Sequence, residues 1–273
     1  MSKSQLEGMR EAIKVHSETP RKALRVAIGS GKGGVGKTTF ALSLGISRVK
    51  AGEAVLLLDV DPGLPDLNIF LGINPDTHWG HFVKGEKTLA EVVLRNVKGM
   101  DFVHGFSGVT DPSWMQGKAA QMLLDGLHTE VPNYDWMILD VGAGLSEPNL
   151  VFMTSVDFLV LVVSPELTSL ADAYGTLKTA LARNPGQKIG VVVNQAETVE
   201  QARNVYLNLA KIAAQFLGVR IPLIGWLPRD PEVPRSLARQ SPIVSERPES
   251  PYAQGIFAIA NAIVSLTRGS AKE

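Results

Sequence analysis

The feature that most constrains the fold is an apolar segment, a glycine-rich loop and a helical segment that follow one another directly. They are "LRVAIGS" (24–30), "GKGGVGKTT" (31–39) and "TTFALSLGISRVKAG" (38–52). The loop contains the full pattern G-x-x-x-x-G-K-[ST], which is typical of phosphate-binding loops when it lies between a buried strand and a helix. The sequence therefore predicts an α/β fold with an anion site where the first strand meets the first helix.

Strand-like and helix-like segments alternate along the rest of the chain. We expect further strands at 54–61, 101–107, 136–142, 158–164, 189–195 and 222–228, and further helices at about 113–128, 168–183, 198–217 and 250–267. This alternation predicts a mostly parallel central sheet with helices on both faces. Residues 21–273 are predicted to form one domain, and the polar residues 1–20 an N-terminal extension.

Composition excludes several classes of protein. The 273 residues include no cysteine, so iron–sulfur clusters, thiolate metal sites and cysteine nucleophiles are excluded. Lys plus Arg and Asp plus Glu both number 27, so no overall field favours nucleic acid, and we expect no strong nucleic-acid binding. The segment "RDPEVPRSLARQ" contains Arg229, Arg235 and Arg239, which could form a modest basic patch or equally a solvated helix face. The apolar runs are too short to span a bilayer and the first residues do not look like a signal peptide, which predicts a cytoplasmic protein.

The loop residues have predicted roles in binding a nucleoside triphosphate. Its backbone N–H groups can surround phosphate oxygens, Lys37 would neutralise the β- and γ-phosphates, and the Thr38 hydroxyl would coordinate Mg²⁺. The predicted contact residues are Gly33, Gly34, Val35, Gly36, Lys37, Thr38 and Thr39. Lys32 is one lysine more than this chemistry requires.

Three acidic residues close predicted strands. Asp59 and Asp61 follow "LLL", and Asp140 follows "WMIL". Because ligands of open α/β sheets lie beyond the carboxyl ends of the strands, all three should lie at the edge that holds the glycine loop. We assign Thr38, Asp59 and Asp140 to Mg²⁺ and Asp61 to the attacking water, with Asp59 as the alternative for the latter role.

The loop "GKGGVGKTT" resembles the deviant phosphate loop of the MinD/ParA ATPases, which are P-loop NTPases of the SIMIBI class. The resemblance implies a dimer that closes over two ATP molecules, with ATP, ADP and Mg²⁺ as ligands. It also implies that Lys32 reaches the phosphates of the partner subunit, as an arginine finger does. The extra lysine would then connect nucleotide binding to dimerisation.

Within this family, the chain is most similar to the FlhG (FleN/YlxH) proteins. "DVDPGLPDLNIFLG" and "DVGAGLSEPNLVFMTSVD" resemble their two switch segments. The resemblance implies an ATP-hydrolysing, dimerising switch that regulates flagellar number and placement. It implies an interface role for Asp172, an adenine contact for Asn194, and a cover over the base from Pro228 and Arg229. Gln195 stands where the family usually has a basic residue.

The segment "SQLEGMR" resembles the N-terminal activating segment of FlhG proteins. Gln5, Met9 and Arg10 fit its glutamine, hydrophobic and arginine positions, whereas Ser4 and Leu6 depart from it. The resemblance implies an FlhF-type GTPase as partner, bound through Gln5 and Arg10. Flagellar switch proteins or a flagellar transcription regulator are further partners of this kind.

Two alternatives stay open. One is a MinD/ParA-type ATPase that positions another cargo, such as the division site or a chromosome, and the other is a nucleotide-gated scaffold with negligible hydrolysis. Relatives carry a basic amphipathic helix for the membrane, but here Ile256, Ile259, Ile263 and Leu266 have the spacing of a helix docked on the sheet. Only "TRGSAKE" follows. We therefore expect little direct lipid binding, and recruitment to the pole or inner membrane through partners.

Overall fold

An eight-stranded sheet forms the centre of the computed structural model, which describes residues 23–61, 65–105, 117–131 and 133–268. The strands are β1 (Leu24–Gly29), β2 (Val55–Asp59), β3 (Val93–Val97), β4 (Met100–Val103), β5 (Trp136–Asp140), β6 (Phe158–Val163), β7 (Ile189–Ala196) and β8 (Leu223–Pro228). Their order is β3-β4-β2-β5-β1-β6-β7-β8. All neighbouring strands are parallel except β3 and β4.

Helices cover both faces of the sheet. They are α1 (Lys37–Lys50), α2 (Leu67–Leu71), α3 (Trp79–Val83), α4 (Leu89–Val92), α5 (Lys118–Glu130), α6 (Glu147–Thr154), α7 (Leu167–Arg183), α8 (Val199–Leu217), α9 (Glu232–Ala238), α10 (Ile243–Glu246) and α11 (Pro251–Arg268). Alternate strand residues point to opposite faces, so Ile138 belongs to the core on the face that α1 and α11 cover, and Leu139 belongs to the core on the face that α5, α7 and α8 cover. The predicted fold class is confirmed.

Some elements differ from the sequence-based expectation. β3 was not predicted, because its residues are half exposed and lack an apolar run, and it reaches β4 through a tight turn with Lys98 (φ 54°) and Gly99 (φ 84°). The short helices α2, α3, α4, α6, α9 and α10 were not predicted either. The extension 1–20, with Gln5 and Arg10, and the tail after Arg268 lie outside the described residues.

The last helix, α11, is docked on the sheet through most of the residues that its spacing indicated. Ile256, Ile259 and Ile263 are fully buried, but Leu266 is 38% exposed, so its predicted place in the core is wrong. The buried stripe continues four residues beyond Ile263, at the half-buried Thr267, and this turns Leu266 towards solvent. In the parts of the chain that the structure describes, no helix is long and apolar enough to cross a membrane.

The topology places the predicted site at one edge of the sheet. β1 lies between β5 and β6, and the glycine loop follows β1. The register pairs Asp59 at the end of β2 with Asp140 at the end of β5. Because these strands are parallel, the glycine loop and both carboxylates meet at the carboxyl ends of the central strands, where open α/β sheets bind their ligands.

Candidate active site

The glycine loop between β1 and α1 has the backbone of an anion-binding loop. Gly34 (φ 78°) and Gly36 (φ 86°) are left-handed, a conformation that glycine adopts without strain. A Cβ atom on Gly33 or Gly34 would meet no other atom within 4 Å, so the space in front of the loop is open. Gly36 is the N-cap of α1 and no side chain caps the helix. The N–H groups of its first turn are therefore available to a phosphate group.

Lys37 lies inside this site among acidic side chains. It is only 9% exposed, and burial lowers the pKa of its amine, while Asp140, Asp61 and Asp66 act to raise the pKa. These carboxylates favour the charged amine in a place where burial disfavours it. The result is a buried cation at the start of α1, where a polyphosphate would meet it.

Asp59 and Asp140 form a pair of buried carboxyl groups beside Lys37, 1% and 3% exposed. Burial raises the pKa of both, and the adjacent Asp140 raises the pKa of Asp59 further. Asp59 accepts hydrogen bonds from the backbone N–H groups of Asp61 (3.2 Å) and Leu67 (3.3 Å). The Oδ1 atom of Asp140, in contrast, is buried without a hydrogen-bond partner.

These residues fit a magnesium ion. A buried, unpartnered carboxylate oxygen beside a second carboxylate is a strong oxygen ligand, and a divalent cation would offset the burial of both charges. The Thr38 hydroxyl is hydrogen-bonded within the same group, to Asp140 and Asp66. Asp66 belongs to the same group of charges. Burial raises the pKa of its carboxyl group, and the charge of Asp61 raises it further.

Asp61 lies where the loop after β2 meets the loop after β5. An added Cβ atom on Gly142 would approach the Asp61 carboxyl carbon to 2.9 Å, so the second loop packs closely against this side chain. Asn149 on α6 holds that loop by donating to the carbonyls of Gly142 and Ala143, both at 3.1 Å. Any shift of the second loop would therefore change the position of the Asp61 carboxylate.

Lys32 is turned towards the start of α7. Its Nζ atom forms an ion pair with Glu166 and donates to the Thr168 hydroxyl at 3.0 Å. The same end of α7 packs on the glycine loop, because an added Cβ atom on Gly31 would come within 2.3 Å of the Asp172 carbonyl oxygen. Asp172 thus contacts its own phosphate loop, and its role at a dimer interface stays a prediction.

A cavity of about 500 Å³ opens beside the glycine loop. Asn194, Pro228 and Arg229, which the family resemblance assigns to the base, line it, and its apolar wall includes Phe70, Leu237 and Tyr252. Asn194 is 3% exposed, and its amide donates to the Val35 carbonyl at 2.8 Å. The size and the mostly apolar lining suit a nucleobase with its ribose.

The residues of this region that were not assigned from the sequence include Asp66, Phe70, Glu166 and Gln195. Glu166 follows β6 within three residues, so the rule that placed the other acids at the strand ends also applies to it. Asp66 and Phe70 are positioned by α2, a helix too short to be predicted from periodicity.

The three arginines considered as a local basic candidate each lie near an acidic side chain. Arg235 pairs with Glu232 and Arg239 with Glu246, each at 2.8 Å, while Arg229 lies 3.9 Å from Glu197. Such pairs reduce the field available to a nucleic-acid phosphate. The absence of strong nucleic-acid binding stays a prediction.

Known proteins of similar sequence include flagellar and septum-site proteins. The antiactivator FleN of Pseudomonas aeruginosa is 29% identical over 241 residues, 88% of this chain and 86% of its own length. The flagellum site-determining protein YlxH of Helicobacter pylori is 26% identical over 249 residues, 91% of this chain and 84% of its own length. A chloroplastic minD homologue of Arabidopsis thaliana is 32% identical over 238 residues, 85% of this chain and 71% of its own length.

The fold is shared with solved structures. The septum site-determining protein MinD of Pyrococcus horikoshii, solved as a complex with Mg-ADP, superposes with a TM-score of 0.73 at 23% identity. The superposition covers 92% of this chain and all of that one. The family model described as the CobQ/CobB/MinD/ParA nucleotide binding domain matches residues 26–243, which include the glycine loop, Asp140 and Asn194. The chain therefore belongs to the CobQ/CobB/MinD/ParA family of nucleotide-binding domains.

Proposed function

We propose that the protein is a Mg²⁺-dependent ATPase that dimerises with ATP and acts as a switch in setting flagellar number or placement. The observation that carries the ATPase is the buried group of Lys37, Asp59 and Asp140 behind an open glycine loop. Burying three ionisable groups together destabilises a fold unless a ligand compensates them. A polyphosphate with its magnesium ion matches their charges and their positions.

Each residue of the site has a step in the proposed reaction. Lys37 and the N–H groups of the glycine loop bind the phosphate oxygens of ATP, and Thr38, Asp59 and Asp140 hold Mg²⁺. The ion supplies charge neutralisation to the phosphates. Asp61, whose carboxylate lies against Gly142, accepts a hydrogen bond from the attacking water and orients it.

Dimerisation would use the edge of the sheet that carries the site. Lys32 is 36% exposed there. Ile69 on α2 is 61% exposed and Leu145, in the loop after β5, is 42% exposed. Large apolar side chains exposed around a charged site support burial against a second copy. In that dimer Lys32 leaves Glu166 and contacts the phosphates bound by the partner.

Size-exclusion chromatography with light scattering tests this dimer. With Mg-ATP, an Asp61→Ala variant should bind nucleotide, lose turnover and accumulate as a dimer. Lys32→Ala should bind ATP but stay monomeric, whereas Lys178→Ala, an exposed lysine further along α7, should behave like the wild type. A dimer formed by Lys32→Ala would contradict the role of Lys32 in the partner's site.

The flagellar role rests on the similarity to FleN and YlxH, and septum-site positioning is the second candidate because a minD homologue is 32% identical. Deletion of the gene separates them. An altered number or position of flagella with normal division supports the first. Minicells with normal flagella would support the second.

Residues 1–20 are proposed as a separate activating segment ahead of the ATPase domain 21–273. A peptide of residues 1–20 should stimulate the GTPase of an FlhF-type partner, and a Gln5→Ala, Arg10→Ala peptide should not. We propose further that α11 stays docked on the sheet through Ile256, Ile259 and Ile263 and that the protein binds lipid little. Sedimentation with anionic liposomes should therefore leave it in the supernatant with either ATP or ADP, and pelleting with ATP alone would contradict this.

A further inference from the structure

Gln195, at the end of β7, makes an unusual set of contacts with the glycine loop. Its backbone is left-handed (φ 61°), although it is not glycine. Its side-chain amide donates to the Gly34 carbonyl at 3.2 Å, and its backbone N–H donates to the Asn194 side chain at 2.9 Å. Asn194 in turn donates to the Val35 carbonyl at 2.8 Å. Two successive side-chain amides therefore hold two successive carbonyls of the glycine loop.

The hydrogen bonds to the Gly34 and Val35 carbonyls also fix the direction of the N–H groups that follow them. In a trans peptide the C=O of one residue and the N–H of the next are rigidly coplanar and point in opposite directions. Holding the Gly34 carbonyl therefore directs the Val35 N–H away from Gln195, and holding the Val35 carbonyl directs the Gly36 N–H away from Asn194. These N–H groups belong to the turn that would surround a phosphate.

The loop needs such support because of its composition. Gly33, Gly34 and Gly36 are free to adopt many backbone conformations, and only some of them turn the N–H groups towards an anion. The Asn194 amide already fits tightly, since an added Cβ atom on Gly36 would meet its nitrogen at 2.5 Å. Gln195 acts one residue earlier in the loop and carries no charge, so its hydrogen bond adds order without competing for the phosphate.

We infer that Gln195 is a positioning residue that holds the phosphate loop in its anion-binding conformation and links it to the base cavity. Gln195 also lines that cavity, together with Asn194 and Arg229. A base bound in the cavity would contact the same two side-chain amides that hold the glycine loop. Binding of the base would therefore stabilise the loop conformation that binds the phosphates. This inference depends on the proposed nucleotide site.

Two substitutions separate the side chain from the backbone. Gln195→Gly removes the amide and keeps the left-handed backbone without strain. Gln195→Glu keeps the shape but places an acceptor opposite the Gly34 carbonyl. Gln201→Glu is the matched control, because it adds the same charge on α8, beside Gln195 and Arg229, while an oxygen still accepts from the Glu197 N–H.

The measurement is calorimetric titration with Mg-ADP and, separately, with Mg-tripolyphosphate, which has no base. Gln195→Gly should weaken both ligands about threefold to tenfold, as expected for one neutral hydrogen bond, and Gln195→Glu should weaken both further. Gln201→Glu should stay within about twofold of the wild type. Hydrogen exchange at residues 33–36 of the ligand-free protein should be faster in Gln195→Gly, with the melting temperature unchanged.

Other outcomes overturn the inference. Weaker ADP binding with unchanged tripolyphosphate binding would make Gln195 a base contact only. Wild-type affinity and exchange in Gln195→Gly would show that the amide holds nothing. If the wild type bound neither ligand, the proposed nucleotide site itself would be wrong, and this inference would fall with it.

Discussion

The two halves of the candidate site are built from different chemistry. The phosphate half, at the ends of β1, β2 and β5, buries Lys37, Asp59 and Asp140. The base half, between β7, β8, α2 and α9, has an apolar wall that includes Phe70 and Leu237, and its polar lining includes Asn194, Gln195, Arg229 and Asp230. We expect the phosphate half to recognise charge and the base half to recognise mainly shape, so a substitution in each half should affect different ligands.

Lys37→Ala is the substitution that should damage the phosphate half most. It removes the main buried cation and leaves the surrounding carboxylates unopposed, so ATP affinity should fall at least about a hundredfold. Calorimetric titration measures this. Lys50→Ala, an exposed lysine at the end of the same helix, is the control. Wild-type affinity in Lys37→Ala would remove the distinction between the two halves.

Gly142→Ala should damage catalysis and spare binding. A methyl group there would press on the Asp61 carboxylate, which must move by a few tenths of an ångström, while the glycine loop stays intact. We expect turnover to fall about tenfold or more, with ATP affinity within about twofold of the wild type. Steady-state ATPase assays and titrations give both values. In the control Gly175→Ala, the added methyl group meets open space on α7.

Phe70→Ala should weaken the base half alone. Removing the ring takes an aromatic wall from the cavity, so ADP affinity should fall about threefold to tenfold, while Mg-tripolyphosphate should bind as before. Ile69→Ala, at the neighbouring and 61% exposed position, is the control in this ADP titration. An equal loss for both ligands would mean that α2 supports the phosphate half as well, and the comparison between the halves would need revision.

The smallest expected effect concerns pH and the group of His78, His81 and His104. Burial is the main effect that lowers the pKa of His78. The neighbouring His81, His104 and Lys84 lower it further and Glu86 raises it, so that the pKa is about 4. The rings of His78 and His81 are stacked, with their centroids 3.9 Å apart. Because the unfolded state takes up the proton near pH 6.5, the contribution of His78 to stability is complete above that pH and is lost as the pH falls towards 4.

Urea unfolding at pH 7 and pH 5 tests this. The urea midpoint should fall from pH 7 to pH 5 in both proteins. The fall should be smaller in His78→Gln than in the wild type, by about a few tenths of a molar. His128→Gln, on the exposed side of α5, should keep the wild-type difference. Parallel behaviour of His78→Gln and the wild type would show that His78 is solvated in the folded protein.

The sequence predicted the charged half better than the apolar half, for a physical reason. A glycine loop and acids at strand ends carry local patterns, and the structure brings Lys37, Asp59 and Asp140 together accordingly. The base half depends on long-range packing, and Phe70 reaches the cavity from a five-residue helix with no periodic signal. Gln195 could be noted only as a departure from a family pattern. Its hydrogen bond to a loop 161 positions away cannot be read from local sequence.

The ion pair between Lys32 and Glu166 has a consequence for assembly in the cell. If Lys32 acts across the dimer, two such pairs must open for each dimer, since both subunits contribute one. Exposed ion pairs are worth up to about 1 kcal/mol each, so the two together could raise the dimer dissociation constant up to about thirtyfold. Salt screens these pairs. The protein concentration at which ATP produces dimers would therefore depend on the ionic strength of the surrounding solution, and Glu166 would set that threshold.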